Sequence, residues 1–151
     1  MIRGIRFHIP NEWGSLLPLV FDGIAIENYF WRIFDNDTYH HVANIKDKGI
    51  FEREAYHGLE FKKIIEQPRY YVITLGLLAL PEETDEEVYD YESFLNSSAK
   101  FFVQIGDCEL VSVFTKDEET IEVFRAIAER HSFKNIELIT KENDYYKRGW
   151  K

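Results

Sequence analysis

The densest group of ionisable side chains lies in residues 82–92, which carry seven carboxylates and no cation. Tyrosines stand among these carboxylates. Closely spaced negative charge steers and holds basic proteins, and aromatic side chains anchor such contacts. The simpler alternative is a solubilising loop or the acidic start of a helix. The residues that could contact a partner are Glu82, Glu83, Asp85, Glu86, Glu87, Tyr89, Asp90, Tyr91 and Glu92.

A second group, Asp35, Asp37, His40 and His41, combines the carboxylate and imidazole ligands that Zn²⁺ or Mn²⁺ accepts. The spacing does not match a known metal motif, and neighbouring histidines on a strand point to opposite faces. Residues 35–38 also have the composition of an ordinary turn. We therefore favour a turn and expect no metal and no cofactor.

Two further candidates are weaker. Cys108 is the only cysteine, its neighbours Asp107 and Glu109 disfavour a thiolate, and no base stands near it, so a buried structural cysteine is favoured over a nucleophile. Arg6 and His8 share one strand face and could hold an anion. Because no glycine-rich loop accompanies them, we favour a solvated face. The sequence contains no catalytic motif.

Residues 145–151, YYKRGWK, interleave cations with aromatic side chains, a pattern that can stack on single-stranded nucleic acid. Three cations are few against a net charge of −9, so no nucleic-acid binding is expected. Two alternatives remain for this region. It is a mobile tail from about residue 142, or a tail whose Trp150 docks on the domain.

Length and composition indicate one domain over residues 1–151, with 18 basic and 27 acidic side chains and 45% hydrophobic residues. A lone cysteine and the absence of a long apolar stretch near the start favour the cytoplasm. The longest apolar run, residues 70–80, has 11 residues, whereas a membrane-spanning helix needs about 20. We expect no membrane association.

The elements that must position these groups follow from hydrophobic periodicity. Strands are predicted at residues 2–9, 29–34, 70–80 and 134–140, with residues 39–45 as a possible hairpin partner. Residues 70–80 are apolar almost throughout, which indicates a central strand covered on both faces. Helices are predicted in four regions: a short one after Asn11, one within residues 55–66, a short one that contains Phe94 and Leu95, and a last one that ends near His131. Thr115 and Glu118 form a capping-box pattern at the start of the last helix.

Residues 100–114 predict a β-hairpin with a two-residue turn at Gly106 and Asp107. That register places Cys108 and Leu110 on the apolar face. Hairpins mixed with helical crossovers predict an α+β domain: a mixed, mostly antiparallel sheet with about three helices packed mainly on one face.

Four stretches resemble an uncharacterised family of small bacterial proteins, a domain of unknown function. The resemblance spans most of the chain and rests on fold-type patterns rather than catalytic signatures. It implies a single-domain cytoplasmic protein and carries over no activity. The stretches are residues 3–14 (RGIRFHIPNEWG), 70–73 (YYVI) running to 80–81 (LP), 91–97 (YESFLNS) and 134–144 (KNIELITKEND).

Two functional hypotheses follow. The first is a small binding or interaction module that uses the acidic-aromatic surface to hold a basic protein. The alternative is a small enzyme or ligand-binding domain with a pocket at the sheet, lined by carboxylate and histidine side chains from different segments. A shallow, continuous acidic patch favours the first hypothesis, and a deep pocket with converging ionisable groups favours the second.

Overall fold

In the computed structural model, which describes residues 1–40 and 49–150, seven strands form one sheet. Their order across the sheet is third, second, fourth, fifth, sixth, first and seventh, and each described pair is antiparallel. The predicted α+β class is confirmed. The strands are β1 (Ile2–His8), β2 (Phe30–His40), β3 (Ala55–His57), β4 (Tyr70–Leu80), β5 (Phe101–Gly106), β6 (Leu110–Thr115) and β7 (Lys134–Thr140).

The same residues contain four α-helices: α1 (Leu17–Val20), α2 (Gly58–Ile65), α3 (Tyr91–Leu95) and α4 (Glu118–Arg130). Helices α1, α2 and α4 pack on the face of the sheet that carries Ile5, Trp31, Leu77, Val103 and Val111, here called the first face. Helix α3 packs on the second face, which carries Phe30, Leu78, Phe102, Phe114 and Ile139. The predicted arrangement, with most helices on one face, is therefore confirmed.

Strand β4 is an interior strand, paired with β2 on one side and with β5 on the other. Its second half is buried on both faces, because Leu75 and Leu77 enter the core of the first face while Leu78 and Leu80 enter that of the second. The continuous apolar run of residues 70–80 reflects this double coverage.

The turn predicted at residues 35–38 is wrong, because β2 continues through it to His40. Asp35 adopts a left-handed φ of 48°, and the pairing with β4 is irregular between Phe34 and Thr38. Asp and Asn tolerate this conformation, so the same residues that form turns also form a bulge inside a strand. Of the predicted hairpin partner 39–45, Tyr39 and His40 continue β2, and residues 41–45 lie outside the described residues.

The hairpin β5–β6 exists, but its predicted register is wrong. Gly106 pairs with Leu110, so the turn comprises Asp107, Cys108 and Glu109. Asp107 and Cys108 have left-handed φ angles of 50° and 70°. The shift by an odd number of residues turns Val111 and Val113 towards the first face, where both are fully buried. Glycine favours a two-residue turn that starts at Gly106, but the burial of these two valines favours the observed register and decides it.

Helix α4 ends at Arg130, close to the predicted end, but its cap is Asp117 rather than Thr115. Asp117 caps the helix by accepting a hydrogen bond from the Thr120 amide, and the apolar stripe of Ile121, Phe124, Ile127 and Ala128 faces the sheet. The helix predicted within residues 55–66 begins only at Gly58, since residues 55–57 form β3. The short helix predicted after Asn11 is confined to Leu17–Val20.

Candidate functional site

The acidic segment, residues 82–92, crosses the apolar half of the second face and ends in the first turn of α3. Five of its seven acidic residues are exposed and two, Glu86 and Asp90, are half-buried, whereas Val88 and Tyr91 are buried in the second core. Tyr89 is 53% exposed. Of the two tyrosines expected to contact a partner, Tyr89 is thus accessible and Tyr91 is a core residue with the Arg3 guanidinium 4.4 Å above its ring.

Several contacts hold this segment in one shape. Arg32 on β2 donates through Nη2 to the carbonyls of Thr84, at 3.1 Å, and Glu86. Asp90 and Ser93 form a capping box at the start of α3, with 2.8 Å from the Ser93 amide to Asp90 Oδ1. The Ser98 amide donates to the Glu86 carboxylate at 3.1 Å. The carboxylates are therefore presented by a fixed backbone.

Between the acidic segment and α3 lies an open cleft of about 580 Å³, here called the acidic cleft. Among the seven carboxylates of the segment, the described residues show one ion pair, from Glu83 to His57 at 3.3 Å. Lys116 lies nearby, but its ammonium donates to the Ser97 carbonyl, and burial lowers its pKa. The four carboxylates that line the cleft thus form no ion pair within the described residues, although those of Glu86 and Asp90 accept hydrogen bonds from Ser98 and Ser93. The lining of the cleft comprises Glu86, Glu87, Tyr89, Asp90, Glu92, Ser93, Asn96 and Ser97.

The three candidate metal ligands that the structure describes, Asp35, Asp37 and His40, do not form a metal site. Asp35 and Asp37 lie in the exposed irregular part of β2, and His40 lies at its end. His41 lies outside the described residues. Across residues 1–40 and 49–150, no group of three or more His, Cys, Asp or Glu side chains is arranged to hold a metal ion.

Cys108 is half-buried in the turn rather than in the core, so its predicted burial on the apolar face is wrong. Its amide donates to the Ile73 carbonyl at 3.0 Å. A hydrogen bond with the Cys108 thiol is the main cause that raises the pKa of Tyr71. The corrected register accounts for the difference, because a residue in a three-residue turn contributes to neither face of the sheet.

A row of residues crosses the polar half of the second face, each opposite the next on the neighbouring strand: Gly76, Gln104, Ser112, Arg6 and Glu137. Gln104, Ser112 and Arg6 are only 4%, 1% and 3% exposed. Within the described residues, Gln104 Oε1 and Ser112 Oγ have no hydrogen-bond partner. Arg6 Nε lies 2.9 Å from Glu137 Oε1, without the angle of a hydrogen bond. Polar atoms buried in this way cost stability.

The solvated face expected for Arg6 is wrong, because residues 141–150, here called the closing segment, cover it. Arg6 donates to the Asn143 carbonyl and stacks on the Tyr145 ring at 4.0 Å. Asp144 is buried and pairs with Arg3 at 2.9 Å. Sequence patterns miss this polar row, since a strand read alone does not show what covers it. The available signal was two polar residues inside strongly apolar strands, Gln104 and Ser112.

Trp150 anchors the closing segment, as in the docked alternative for the tail. It is 3% exposed and stacks on Phe102 with ring centroids 4.2 Å apart. Its ring also contacts Phe94 of α3, and its amide donates to the Tyr89 carbonyl at 2.9 Å. The closing segment thus contacts the acidic segment directly. Mobility of residues from about 142 onwards stays a prediction.

Comparison with known proteins gives the family. Residues 2–149 match a family described as a protein of unknown function, DUF2691. The chain belongs to the DUF2691 family. It is 31% identical over 146 residues to YncE of Bacillus subtilis (strain 168), described as uncharacterized, and the match covers 95% of each chain. No solved structure matches the chain. The resemblance seen in the sequence is confirmed.

The DUF2691 chain has another pocket, of about 480 Å³, where β1, β7 and the end of α4 meet. Its ionisable lining residues are His8, Glu109, His131 and Lys134. His131 Nε2 lies 2.8 Å from Asp22 Oδ2, and hydrogen bonds from His131 and Arg130 lower the pKa of Asp22. None of the helices in the described part of the chain is long and apolar enough to cross a membrane.

Proposed function

We propose that this DUF2691 protein is a small bacterial cytoplasmic binding module whose acidic cleft holds a basic segment of a partner protein. One observation carries the proposal: Glu86, Glu87, Asp90 and Glu92 line one open cleft beside the exposed Tyr89. Converging carboxylates attract a basic partner at long range, and an exposed aromatic ring supplies a contact at short range.

The fixed backbone supports this proposal. Arg32 and the capping box at Asp90 hold the acidic segment whether or not a partner is present. Binding then requires little ordering of the protein, which lowers its entropic cost. The cleft is open, which suits the surface of a partner protein. The single cysteine and the lack of a long apolar stretch support a cytoplasmic location.

The test compares two double variants with the same change of net charge. Glu87→Lys/Glu92→Lys reverses charge in the cleft. The control, Glu66→Lys/Glu129→Lys, reverses charge at two exposed positions, one directly after α2 and one on α4. Immobilised wild-type protein is expected to capture a basic protein from bacterial lysate at low salt and to release it as salt rises. The cleft variant should lose this capture and the control variant should keep it. Equal capture by all three proteins would refute the proposal.

The second pocket favours a second candidate function, the binding of a small ligand. Four ionisable side chains and the apolar Ile9 and Phe133 line it, and its volume lies in the range of small-molecule sites. A ligand-observed NMR screen of small polar compounds tests this function. A hit should disappear in the His8→Ala/Lys134→Ala variant and persist in the cleft variant. A screen without such a hit would exclude the function for the compounds used.

A further inference from the structure

The closing segment has the chemistry that the acidic segment would select in a partner. Residues 145–150 interleave Lys147 and Arg148 with aromatic side chains, and they lie beside the most acidic stretch of the chain. Trp150 fills an aromatic pocket formed by Phe94, Phe102 and Phe114. The chain thus binds its own basic-aromatic segment next to its acidic cleft.

This internal contact leaves much of the available interaction unused. Lys147 and Arg148 are exposed, and neither forms an ion pair within the described residues. Within the described residues the carboxylates of the acidic cleft form no ion pair, even though these two cations come just before Trp150, whose amide contacts Tyr89 at the cleft. A partner segment that joins a tryptophan to cations at a different spacing would form ion pairs with cleft carboxylates that Lys147 and Arg148 do not reach.

One feature of the docked Trp150 weakens its docking. Its indole Nε1 is buried and has no acceptor in the described part of the chain, so undocking returns a hydrogen bond to water. Gly149 adopts a φ of 134°, which glycine takes without strain and other residues rarely adopt, so the docked path of the backbone depends on this glycine. The Trp150 amide keeps one hydrogen bond, to Tyr89. Docking of Trp150 therefore rests mainly on aromatic stacking, whereas residues 143–145 are held independently by Arg3 and Arg6.

We propose that residues 147–150, the end of the closing segment, are an exchangeable ligand of the second face, and that the partner of the acidic cleft carries a basic segment with a tryptophan that replaces Trp150. This inference rests on the proposed function and specifies the partner chemically. Displacement would place the partner's tryptophan against Phe102 and its cations along residues 82–92. The closing segment would act as an intramolecular competitor until then.

Intramolecular competition sets the size of the expected effect. A segment tethered to its own site acts at an effective concentration in the millimolar range, so it strongly reduces the apparent affinity of any competitor. Freeing the pocket in the full-length chain should therefore reveal binding that the wild-type protein hides. Two substitutions free it in different ways: Trp150→Ala removes the anchor, and Gly149→Ala strains the backbone that delivers the anchor.

The probe is a fluorescein-labelled peptide with the sequence of residues 143–150, followed by fluorescence anisotropy. It is expected to bind the Trp150→Ala and Gly149→Ala proteins at least about tenfold more tightly than wild type. The same peptide with alanine in place of tryptophan should not bind. A peptide with glutamate in place of both cations should bind at least about tenfold more weakly, because the acidic segment repels it.

Circular dichroism and thermal melting establish that both variants are folded. Absence of peptide binding to both folded variants would overturn the inference, and so would equal binding of the charge-reversed peptide. If the peptide fails while the cleft variant still loses partner capture, the inference alone falls and the proposed function stands. If the peptide binds as expected while capture ignores the cleft substitutions, the proposed function falls and the exchangeable pocket stands.

Discussion

The two faces of the sheet are built on different principles. On the first face, three helices cover apolar side chains, and the aromatic rings of Trp31, Phe61 and Phe51 stack on one another. On the second face, one short helix, a loop and the closing segment cover a surface that is apolar in one half and polar in the other. The packing of the first face stabilises the fold, whereas the second face buries polar atoms without hydrogen-bond partners in the described residues, which lowers stability.

The largest expected effect lies on the first face. Phe61→Ala should lower the free energy of unfolding by about 3–5 kcal/mol, because Phe61 is fully buried between Trp31 and Phe51. Leu59→Ala on the same helix is the control. Leu59 is exposed, so its replacement should change stability by less than about 0.5 kcal/mol. Denaturant titration measures both, and similar losses for the two variants would contradict the described orientation of α2.

The free energy of unfolding should also fall at high pH, through Tyr70 in the core of the first face. Burial raises the pKa of Tyr70 to about 12, and its hydroxyl donates to the Ile65 carbonyl at 2.6 Å. Because folding raises the pKa of Tyr70, its contribution to the free energy of unfolding is complete below the unfolded pKa of about 10. That contribution is lost as the pH rises towards 12. The loss should be on the order of 2 kcal/mol.

Denaturant titrations at pH 9, 10, 11 and 12 measure this loss. Tyr70→Phe should reduce the dependence on pH over that interval, whereas Tyr89→Phe, at an exposed tyrosine, should leave it unchanged. An identical pH dependence in wild type and Tyr70→Phe would show that Tyr70 is not the group responsible.

On the second face the expected effect has the opposite sign. Gln104→Met and Ser112→Ala remove buried polar atoms that have no partner in the described residues. Each should leave the stability unchanged or raise it by up to about 1 kcal/mol, since an unsatisfied buried group costs free energy. Denaturant titration of the two single variants is the measurement. A loss of more than about 1 kcal/mol in both would mean that the polar row contributes to stability after all.

The smallest effect concerns Cys108, which lies outside both faces. Its thiol should react with a disulfide reagent in the native protein at a rate comparable with that in denaturant, because the turn leaves it half-buried. Absorbance at the wavelength of the released thiolate follows the reaction. Labelling that requires denaturant would restore the register in which Cys108 belongs to the core.

The sequence predicts the first face better than the second for a physical reason. The periodicities of β1, β4, β7 and α4 are local, and they persist in the fold because each element buries the face that its pattern marks. The hairpin register differs from its prediction because the burial of Val111 and Val113, which lie outside the turn, decides it. The bulge at Asp35 was mistaken for a turn because both use the same residue types.

The candidate site shows the same limit. The acidic segment is evident from composition alone, since exposed charge needs no tertiary context. The burial of Tyr91, Arg6 and Gln104 depends on chain segments that are distant in sequence, and no local pattern marks them. The sequence leaves the docking of Trp150 as one of two alternatives for the same reason, because a basic-aromatic tail has the same sequence pattern whether it is free or docked.

Native-state hydrogen exchange tests the central difference between the faces most directly. The amides of Phe124 and Ile127 in α4 should exchange only through global unfolding, whereas the Trp150 amide, bonded to the Tyr89 carbonyl, should exchange through local opening of the closing segment. We predict an opening free energy for the Trp150 amide at least about 2 kcal/mol below that of the α4 amides. Equal opening free energies would contradict an exchangeable cover on the second face.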